Sequence, residues 1–213
     1  MNRNTLKILG ILSSIATIAI LVVLSTQSLK GENDGSEISE ATLDQSNLER
    51  AEMDNFPEAY IAHHFTYPVG TADGHGYYNA QGFKENNHLG DDWNGTGGGN
   101  TDFGDPIYAI AHGRVKVAED YGGGWGKIVR IIHQLPNGEM VESFYAHCET
   151  MLVEEGDWVE RGDQIATLGD ADGAYIAHLH FEIRTDTSMG NGGGYSPDTE
   201  GYVDPTAFIE AHR

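Results

Sequence analysis

Residues 178–184, His-Leu-His-Phe-Glu-Ile-Arg, carry the pattern that decides the fold. Leucine, phenylalanine and isoleucine alternate here with polar residues, and alternation at a period of two predicts a strand with one buried face. Residues two apart on a strand point to the same face. His178 and His180 are therefore expected to bring two imidazole rings to a single site.

From residue 106 onward, the chain repeats this pattern of short strands separated by turns. The further strand candidates are PIYAIA (106–111), RVKVAED (114–120), GKIVRIIHQ (126–134), EMVESFYAH (139–147) and GDWVERGDQIATLGD (156–170). Pro136-Asn137-Gly138 predicts a hairpin with positive φ at both Asn137 and Gly138. No long helix is expected between 88 and 185. The predicted fold class is all-β, with antiparallel sheets that form a groove on one sheet face.

A second segment with candidate metal ligands lies upstream, His88-Leu-Gly-Asp-Asp92. Its central glycine permits a bent loop that turns the histidine and a carboxylate toward one point. Neutral imidazole and carboxylate are zinc ligands, and three protein ligands with one open position mark a catalytic rather than a structural zinc. From the residues alone, Asp91 and Asp92 compete as the carboxylate ligand.

The ordered motifs resemble the lysostaphin-type (LytM-like) zinc metalloendopeptidases, which cut peptide cross-links in bacterial peptidoglycan. The resemblance rests on His-x-Gly-x-Asp at 88–92, a single histidine, His147, after a strand with Ser and Tyr, and His-x-His-Phe-Glu at 178–182. It extends over residues 88–184. It implies a lysostaphin-type fold (a barrel-sandwich hybrid), one Zn²⁺ per domain and a peptidoglycan peptide as substrate.

The resemblance also implies roles for individual residues. The implied zinc ligands are His88, Asp92 and His180. Asp92 is preferred to Asp91 because it falls on the family's spacing. His147 and His178 then remain beside the metal as catalytic residues. We assign His178 as general base and His147 as donor to the oxyanion, although the two roles are interchangeable at this level.

Four further residues are weaker candidates for the groove or for contact with the ligands. They are Tyr121, Trp125, Tyr145 and Glu182. Glu182 shares a strand face with His180 and is predicted either to orient an imidazole or to be an ordinary polar residue. Tyr145 is expected to share a face with His147. The two aromatic residues that flank the glycine loop 122–124 either line the groove or pack in the core.

Two glycine-rich segments, 93–105 and 189–201, contain too many glycines for a helix or strand. No Lys-Ser/Thr pair follows the first, so it is not a phosphate-binding loop. We expect at least one of the two segments to line the groove. Cys148 is the only cysteine of the chain, so an internal disulfide is excluded, and we expect a buried thiol without a chemical role.

The first 30 residues have the pattern of a membrane-directing segment. Basic residues precede an uncharged run at 8–24, which exceeds the roughly 7–15 apolar residues of a signal peptide and reaches the lower limit of about 17 for a spanning helix. We predict a signal-anchor at 1–30 that holds an extracytoplasmic domain at the inner membrane. A cleaved signal peptide, which would leave a secreted or periplasmic protein, is the alternative. Residues 31–55 are predicted to be an acidic linker and 56–213 the zinc peptidase domain, with its core at 88–185.

The acidic balance of the chain narrows its partners. The whole chain has 12 basic and 33 acidic residues, a net charge of −21. Such a surface argues against nucleic acid and anionic lipid headgroups. The predicted function is a zinc endopeptidase of the bacterial cell envelope that hydrolyses peptidoglycan cross-links or stem peptides. The alternatives are a non-catalytic, zinc-binding activator of other wall hydrolases and a secreted bacteriolytic peptidase that cuts Gly-rich bridges.

Overall fold

The computed structural model describes residues 56–213, so the predicted signal-anchor (1–30) and acidic linker (31–55) lie outside the described residues. The regular elements are β1 (Tyr77–Gln81), β2 (Asp91–Gly95), β3 (Pro106–Tyr108), β4 (Gly113–Gly122), β5 (Gly126–Gln134), β6 (Met140–Met151), β7 (Trp158–Val159), β8 (Gln164–Leu168), β9 (Leu179–Arg184), β10 (Tyr202–Val203) and α1 (Pro205–Ala211), with 3-10 turns at Glu58–Tyr60 and Glu85–Asn87. Across residues 56–213, none of the helices has the length and apolar character needed to cross a membrane.

The ten strands form one sheet in which neighbouring strands run antiparallel. Its main path is β1-β2-β9-β6-β5-β4-β7; β8 pairs with β3 and β6, and β10 pairs with β9. The predicted antiparallel all-β class is confirmed for the described residues. β9 lies between β2 and β6, so the His-x-His strand runs through the middle of the sheet.

Strand β9 has no solvent-exposed face. All six of its residues are buried. Leu179, Phe181 and Ile183 pack in the main hydrophobic core. The opposite face, which carries polar side chains, is also covered, because the chain after β9 folds back over it and donors of Arg184 bond to carbonyl oxygens at residues 190 and 191. The alternation in sequence thus separates two buried faces of β9, one packed in the apolar core and one in polar surroundings.

The β5–β6 hairpin forms where Pro136-Asn137-Gly138 predicts it, but with a different turn. Only Gly138 has a positive φ, at 86°. The Leu135 amide donates to the Glu139 carbonyl (2.8 Å), which closes a three-residue loop. Proline fixes φ near −65° and suits a type I turn followed by one left-handed residue, whereas the expected two-residue turn needs positive φ at both Asn137 and Gly138.

The helix α1 was not part of the predicted fold, although its start carries a clear sequence signal. The Asp204 carboxylate accepts a hydrogen bond from the Ala207 amide (2.9 Å), and Pro205 occupies the first turn. Aspartate as N-cap followed by proline is typical of a helix start. The helix is tied to β2 because the Asp91 carboxylate accepts from both the amide (3.1 Å) and the hydroxyl (2.6 Å) of Thr206.

Replacing Asp91 with alanine is expected to lower stability and leave metal binding intact. The carboxylate is buried and also accepts from the Phe83 amide (3.1 Å). Its removal leaves buried donors unpaired, which costs roughly 2–3 kcal/mol. Urea denaturation should show the lower midpoint, with zinc content unchanged. Unchanged stability would show that the link between α1 and β2 contributes little.

The buried ring of His133 is expected to make the folded domain less stable in acid. The buried imidazole donates from Nδ1 to the His112 carbonyl (2.9 Å), and its Nε2 accepts from the Ser143 hydroxyl (2.7 Å). Burial lowers the pKa of His133 from 6.5 to about 4. Between pH 6.5 and pH 4, His133 is protonated in the unfolded chain but remains neutral in the folded chain. The free energy of unfolding therefore falls as pH falls, by up to about 3 kcal/mol. Urea denaturation at pH 7, 5 and 4 should show a smaller loss in His133→Gln; parallel losses would contradict this.

Candidate metal centre

The metal-binding candidates meet where β2 pairs with β9. Asp92 lies directly opposite His180 in the strand register. His88 precedes β2, and Gly90 lets the connecting loop lie flat against β9. A Cβ at Gly90 would stand 2.3 Å from the Phe181 carbonyl oxygen, so this close approach requires glycine. Pairing of β2 with β9 thus brings together motifs that lie about 90 residues apart in the chain.

Three potential ligand atoms converge at this junction. Nε2 of His88 lies 2.9 Å from Nδ1 of His180, and Oδ1 of Asp92 lies 3.2 Å and 3.0 Å from these two nitrogens. Ligand atoms about 2.0–2.2 Å from a tetrahedral zinc stand about 3.3 Å apart, close to these separations. Among residues 56–213, His88, Asp92 and His180 form the group that could hold a metal ion.

The positions of the protons on these three side chains also favour a bound cation. Nε2 of His180 donates to Oε1 of Glu182 (2.9 Å), so a neutral His180 ring presents a lone pair at Nδ1. The Asp92 carboxylate only accepts. If both facing ring nitrogens instead carried protons for Asp92, two N–H groups would face each other across 2.9 Å. A cation among the three atoms removes this conflict.

Burial and charge act in opposite directions on these groups. Burial disfavours the charged form of His180, but hydrogen bonds with Asp92 and Glu182 outweigh it and raise the pKa of His180 to about 9. Burial would likewise raise the pKa of Asp92, but hydrogen bonds from His180 and His88 hold that pKa well below its usual value. A proton on Nδ1 of His180 and a metal ion therefore compete for the same lone pair, and metal binding would release this proton. Asp91 faces away from it and bonds to Thr206, so of the two competing carboxylates only Asp92 points into the junction.

His147 reaches the same junction through an irregularity in β6. Its φ is 62°, in the left-handed region that β-strand residues avoid. The β5–β6 register shifts here, with Lys127 opposite Cys148 but Val129 opposite Tyr145, so β6 carries an extra residue. Such a bulge turns a side chain out of the regular alternation. His147 consequently lies on the groove side, with its ring 4.6 Å from that of His178 and 5.8 Å from that of His180.

Backbone carbonyls fix the tautomers of both non-ligand histidines. Nδ1 of His147 donates to the Trp125 carbonyl (3.3 Å), and Nδ1 of His178 donates to the Ile176 carbonyl (2.7 Å). In the neutral ring, Nε2 is then the acceptor in both cases. Nε2 of His178 lies 3.8 Å from Oδ1 of Asp92. Burial, and then the charge of His178, lower the pKa of His147 to about 3, so this ring is neutral near pH 7.

These side chains lie in an open groove of about 490 Å³. The lining residues are Gln81, Asp92, Gly124, Trp125, His147, Tyr175, His178, His180, Gly193, Gly194 and Tyr195. Asp92 is the sole acidic or basic residue among them, apart from the histidines. Segment 189–201 supplies one wall, as we expected of at least one glycine-rich segment, whereas segment 93–105 contributes no lining residue.

The four weaker candidates separate into two pairs. Trp125 lines the groove, and Glu182 lies behind His180 and bonds to it. Tyr145, in contrast, is buried in the core, where its hydroxyl accepts from the Ile110 amide. The expectation that Tyr145 shares a face with His147 is wrong, because the bulge breaks the alternation between them. Tyr121 is exposed near the end of β4, outside the lining.

Two tyrosines of the groove were missed by the sequence interpretation. The Tyr175 ring lies 4.8 Å from His147, and the Tyr195 ring lies 5.0 Å from His88. About half of each side chain is exposed. Both residues lie in irregular segments, where no periodicity indicates the direction of a side chain. Cys148 is buried, as expected, and burial raises the pKa of its thiol to about 12.

An antiparallel β domain with a histidine and aspartate metal centre in an open groove has the make-up of a metallopeptidase. The chain belongs to Peptidase family M23, whose family model matches residues 92–192. The resemblance noted from the motifs is thereby confirmed.

Three known proteins illustrate the relationship. Lipoprotein NlpD of Yersinia enterocolitica is 44% identical over 81 residues, which form 38% of this chain and 78% of that protein. Murein hydrolase activator NlpD of Escherichia coli K12 is 43% identical over 81 residues, but the match spans only 20% of that protein. The solution structure of lysostaphin, at 20% identity, superposes with a TM-score of 0.52 over 71% of this chain and 56% of that one, which shows a shared fold.

Proposed function

We propose that this protein is a zinc-dependent endopeptidase that hydrolyses peptide bonds of bacterial peptidoglycan. The observation that carries the proposal is the complete triangle of His88, Asp92 and His180, with two further histidines beside it in an open groove. Membership of Peptidase family M23 supports the reaction class. We also propose residues 56–213 as the peptidase domain, with its core at 88–185.

Zinc would be held by Nε2 of His88, Oδ1 of Asp92 and Nδ1 of His180. When bound, it supplies Lewis acidity that activates water and polarises a peptide carbonyl. Glu182 keeps the proton of His180 on Nε2 and so leaves Nδ1 free as a ligand atom. One metal ion per domain is expected, since the described residues hold one such group.

His147 and His178 would share the handling of the proton. Both present Nε2 as an acceptor, so each can take a hydrogen bond from the attacking water. We assign the general base to His178, because its Nε2 lies 3.8 Å from Oδ1 of the candidate ligand Asp92 and so faces the metal centre. The protonated ring then returns the proton to the leaving amine. The oxyanion-donor role first assigned to His147, which was interchangeable with that of His178, needs a proton on Nε2; with the proton on Nδ1 we propose instead that His147 orients the water.

A second candidate function is activation of another wall hydrolase without catalysis. It is favoured by the name of the Escherichia coli relative, a murein hydrolase activator. The intact ligand triangle and the two accessory histidines favour catalysis. For either function we propose a location in the bacterial cell envelope, in line with the lipoprotein relative from Yersinia.

The deciding experiment is a digest of purified peptidoglycan with the zinc-loaded, full-length chain, followed by mass spectrometry of the released fragments. New peptide ends that are absent with His178→Ala would support the peptidase and identify the bond cut. No cleavage by a chain that holds one zinc would contradict it. The same digest with an added wall hydrolase would then test activation, measured as faster release of wall fragments.

A further inference from the structure

The segment after β9 is held over the sheet mainly through its carbonyl oxygens. Each of five carbonyls between residues 187 and 192 accepts a hydrogen bond from a long side chain. The donors are Lys116 to Thr187, Arg130 to Met189 (2.6 Å), Arg184 to Gly190 (2.8 Å) and Asn191 (2.9 Å), and Trp125 to Gly192 (3.1 Å). A glycine-rich segment has few side chains with which to anchor itself, so these donors set its position.

This segment leads directly into a wall of the groove. Gly193, Gly194 and Tyr195 follow it without interruption and line the cavity. The Gly194 carbonyl accepts from the Leu89 amide (2.9 Å), beside the candidate ligand His88. A shift of the held segment would therefore move the wall relative to the metal centre.

Two buried carboxylates hold the arginine donors in place. Glu142 and Glu182 are fully buried, as is Arg184, and Arg130 is nearly so. Arg130 donates to Glu142 from Nε (2.8 Å) and from a terminal nitrogen (3.0 Å). Arg184 donates from Nε to Oε2 of Glu182 (2.7 Å), and its guanidinium lies over the Phe144 ring at 4.3 Å. A planar guanidinium has five donors in a fixed arrangement, so it can bind a carboxylate side-on through two of them while others reach backbone carbonyls, whereas a lysine ammonium cannot form this side-on pair.

Glu182 divides its two oxygens between the metal centre and this network. Oε1 accepts from Nε2 of His180, and Oε2 accepts from Arg184. The same carboxylate thus orients a candidate ligand and an arginine that holds the groove wall.

We propose that Arg130 and Arg184 are positioning residues that fix the groove wall at 193–195, and that Glu182 couples this wall to His180. The consequence for the substrate rests on the proposed peptidase function, whereas the positioning itself does not. Neither arginine lines the groove.

The first test is hydrogen exchange of the full chain, followed by peptide mass analysis. The variants Arg130→Lys and Arg184→Lys keep the positive charge but lose the planar guanidinium group with its several donors. Each is expected to speed exchange of the Leu89 and Ser196 amides, which bond to the Gly194 and Asn87 carbonyls and join the wall to the loop of His88, by about tenfold or more, because the wall is no longer held in place. The matched control is Arg114→Lys, which alters an arginine of β4 that bonds to the Gly156 carbonyl away from the groove. Unchanged exchange at Leu89 and Ser196, or an equal rise throughout the domain, would overturn the proposal.

A milder variant keeps the test decisive if the buried substitutions prevent folding. Asn191→Ala removes the side-chain oxygen that accepts from Arg130 (3.0 Å) and leaves every charged group in place. Faster exchange confined to the Leu89 and Ser196 amides is expected here too. Exchange at the rate of the unaltered chain would count against positioning by Arg130.

The coupling has its own readouts in zinc affinity and in steady-state kinetics. Arg184→Lys should weaken zinc binding about tenfold, as loss of outer contacts to metal ligands does, whereas Arg130→Lys should stay within about twofold of the original. Equal zinc affinities in the two variants would contradict the coupling through Glu182.

With a cleavable peptide, Arg130→Lys should raise KM more than it lowers kcat. If the unaltered chain cleaves nothing, the proposed function fails, while the exchange rates still decide the positioning.

Discussion

Replacing His180 with alanine is expected to reduce bound zinc from one ion per chain to almost none and to abolish cleavage of peptidoglycan. His180 contributes Nδ1 to the triangle and lies within 2.9–3.0 Å of both partner ligand atoms. Two remaining ligands do not make a site with the three protein ligands that catalytic zinc requires. The variant also leaves the buried Glu182 carboxylate without its imidazole partner, which adds a cost in stability.

The measurement is zinc per chain after dialysis, with circular dichroism to verify the fold. Asp91→Ala is the matched control, because it removes a neighbouring buried carboxylate that bonds to Thr206 instead of pointing into the junction. It should keep one zinc despite its lower stability. A folded His180→Ala chain that still binds one zinc tightly would assign the ligand role to a different histidine, with His178 as the first candidate.

Much of the sheet could be predicted from the sequence because local patterns and long-range pairing agree in it. The bounds of β5 match the predicted strand GKIVRIIHQ residue for residue, and β9 lies within HLHFEIR. Features that depend on tertiary contacts could not be predicted in the same way. Burial of the polar face of β9 arises from chain that folds back from beyond residue 185, and nothing within the strand indicates this.

The candidate site shows the same division. The resemblance to the lysostaphin-type peptidases implied His88, Asp92 and His180 as ligands, and the structure places their ligand atoms within 4.8 Å of one another. The positive φ of His147 could not be deduced, since the bulge depends on the register between β5 and β6. Because the bulge was not foreseen, strict alternation along β6 predicted Tyr145 in the groove. In the structure Tyr145 is a core residue.

Replacing His178 with alanine is expected to leave one zinc per chain and to lower kcat by roughly 10²–10⁴, the usual contribution of a general base. Its Nε2 is an acceptor near Asp92, but Nδ1 is committed to the Ile176 carbonyl, and the residue is not part of the ligand triangle. Loss of this ring removes the proton acceptor without removing a ligand. Zinc per chain and kcat on a defined peptide, measured on the same preparation, separate the two effects.

His147→Ala provides the comparison that tests the division of roles. If His147 orients water while His178 carries the proton, the loss in kcat should be smaller for His147→Ala, and zinc should again be retained. A greater loss of kcat in His147→Ala than in His178→Ala would assign the base to His147, which the bulge in β6 brings to the groove.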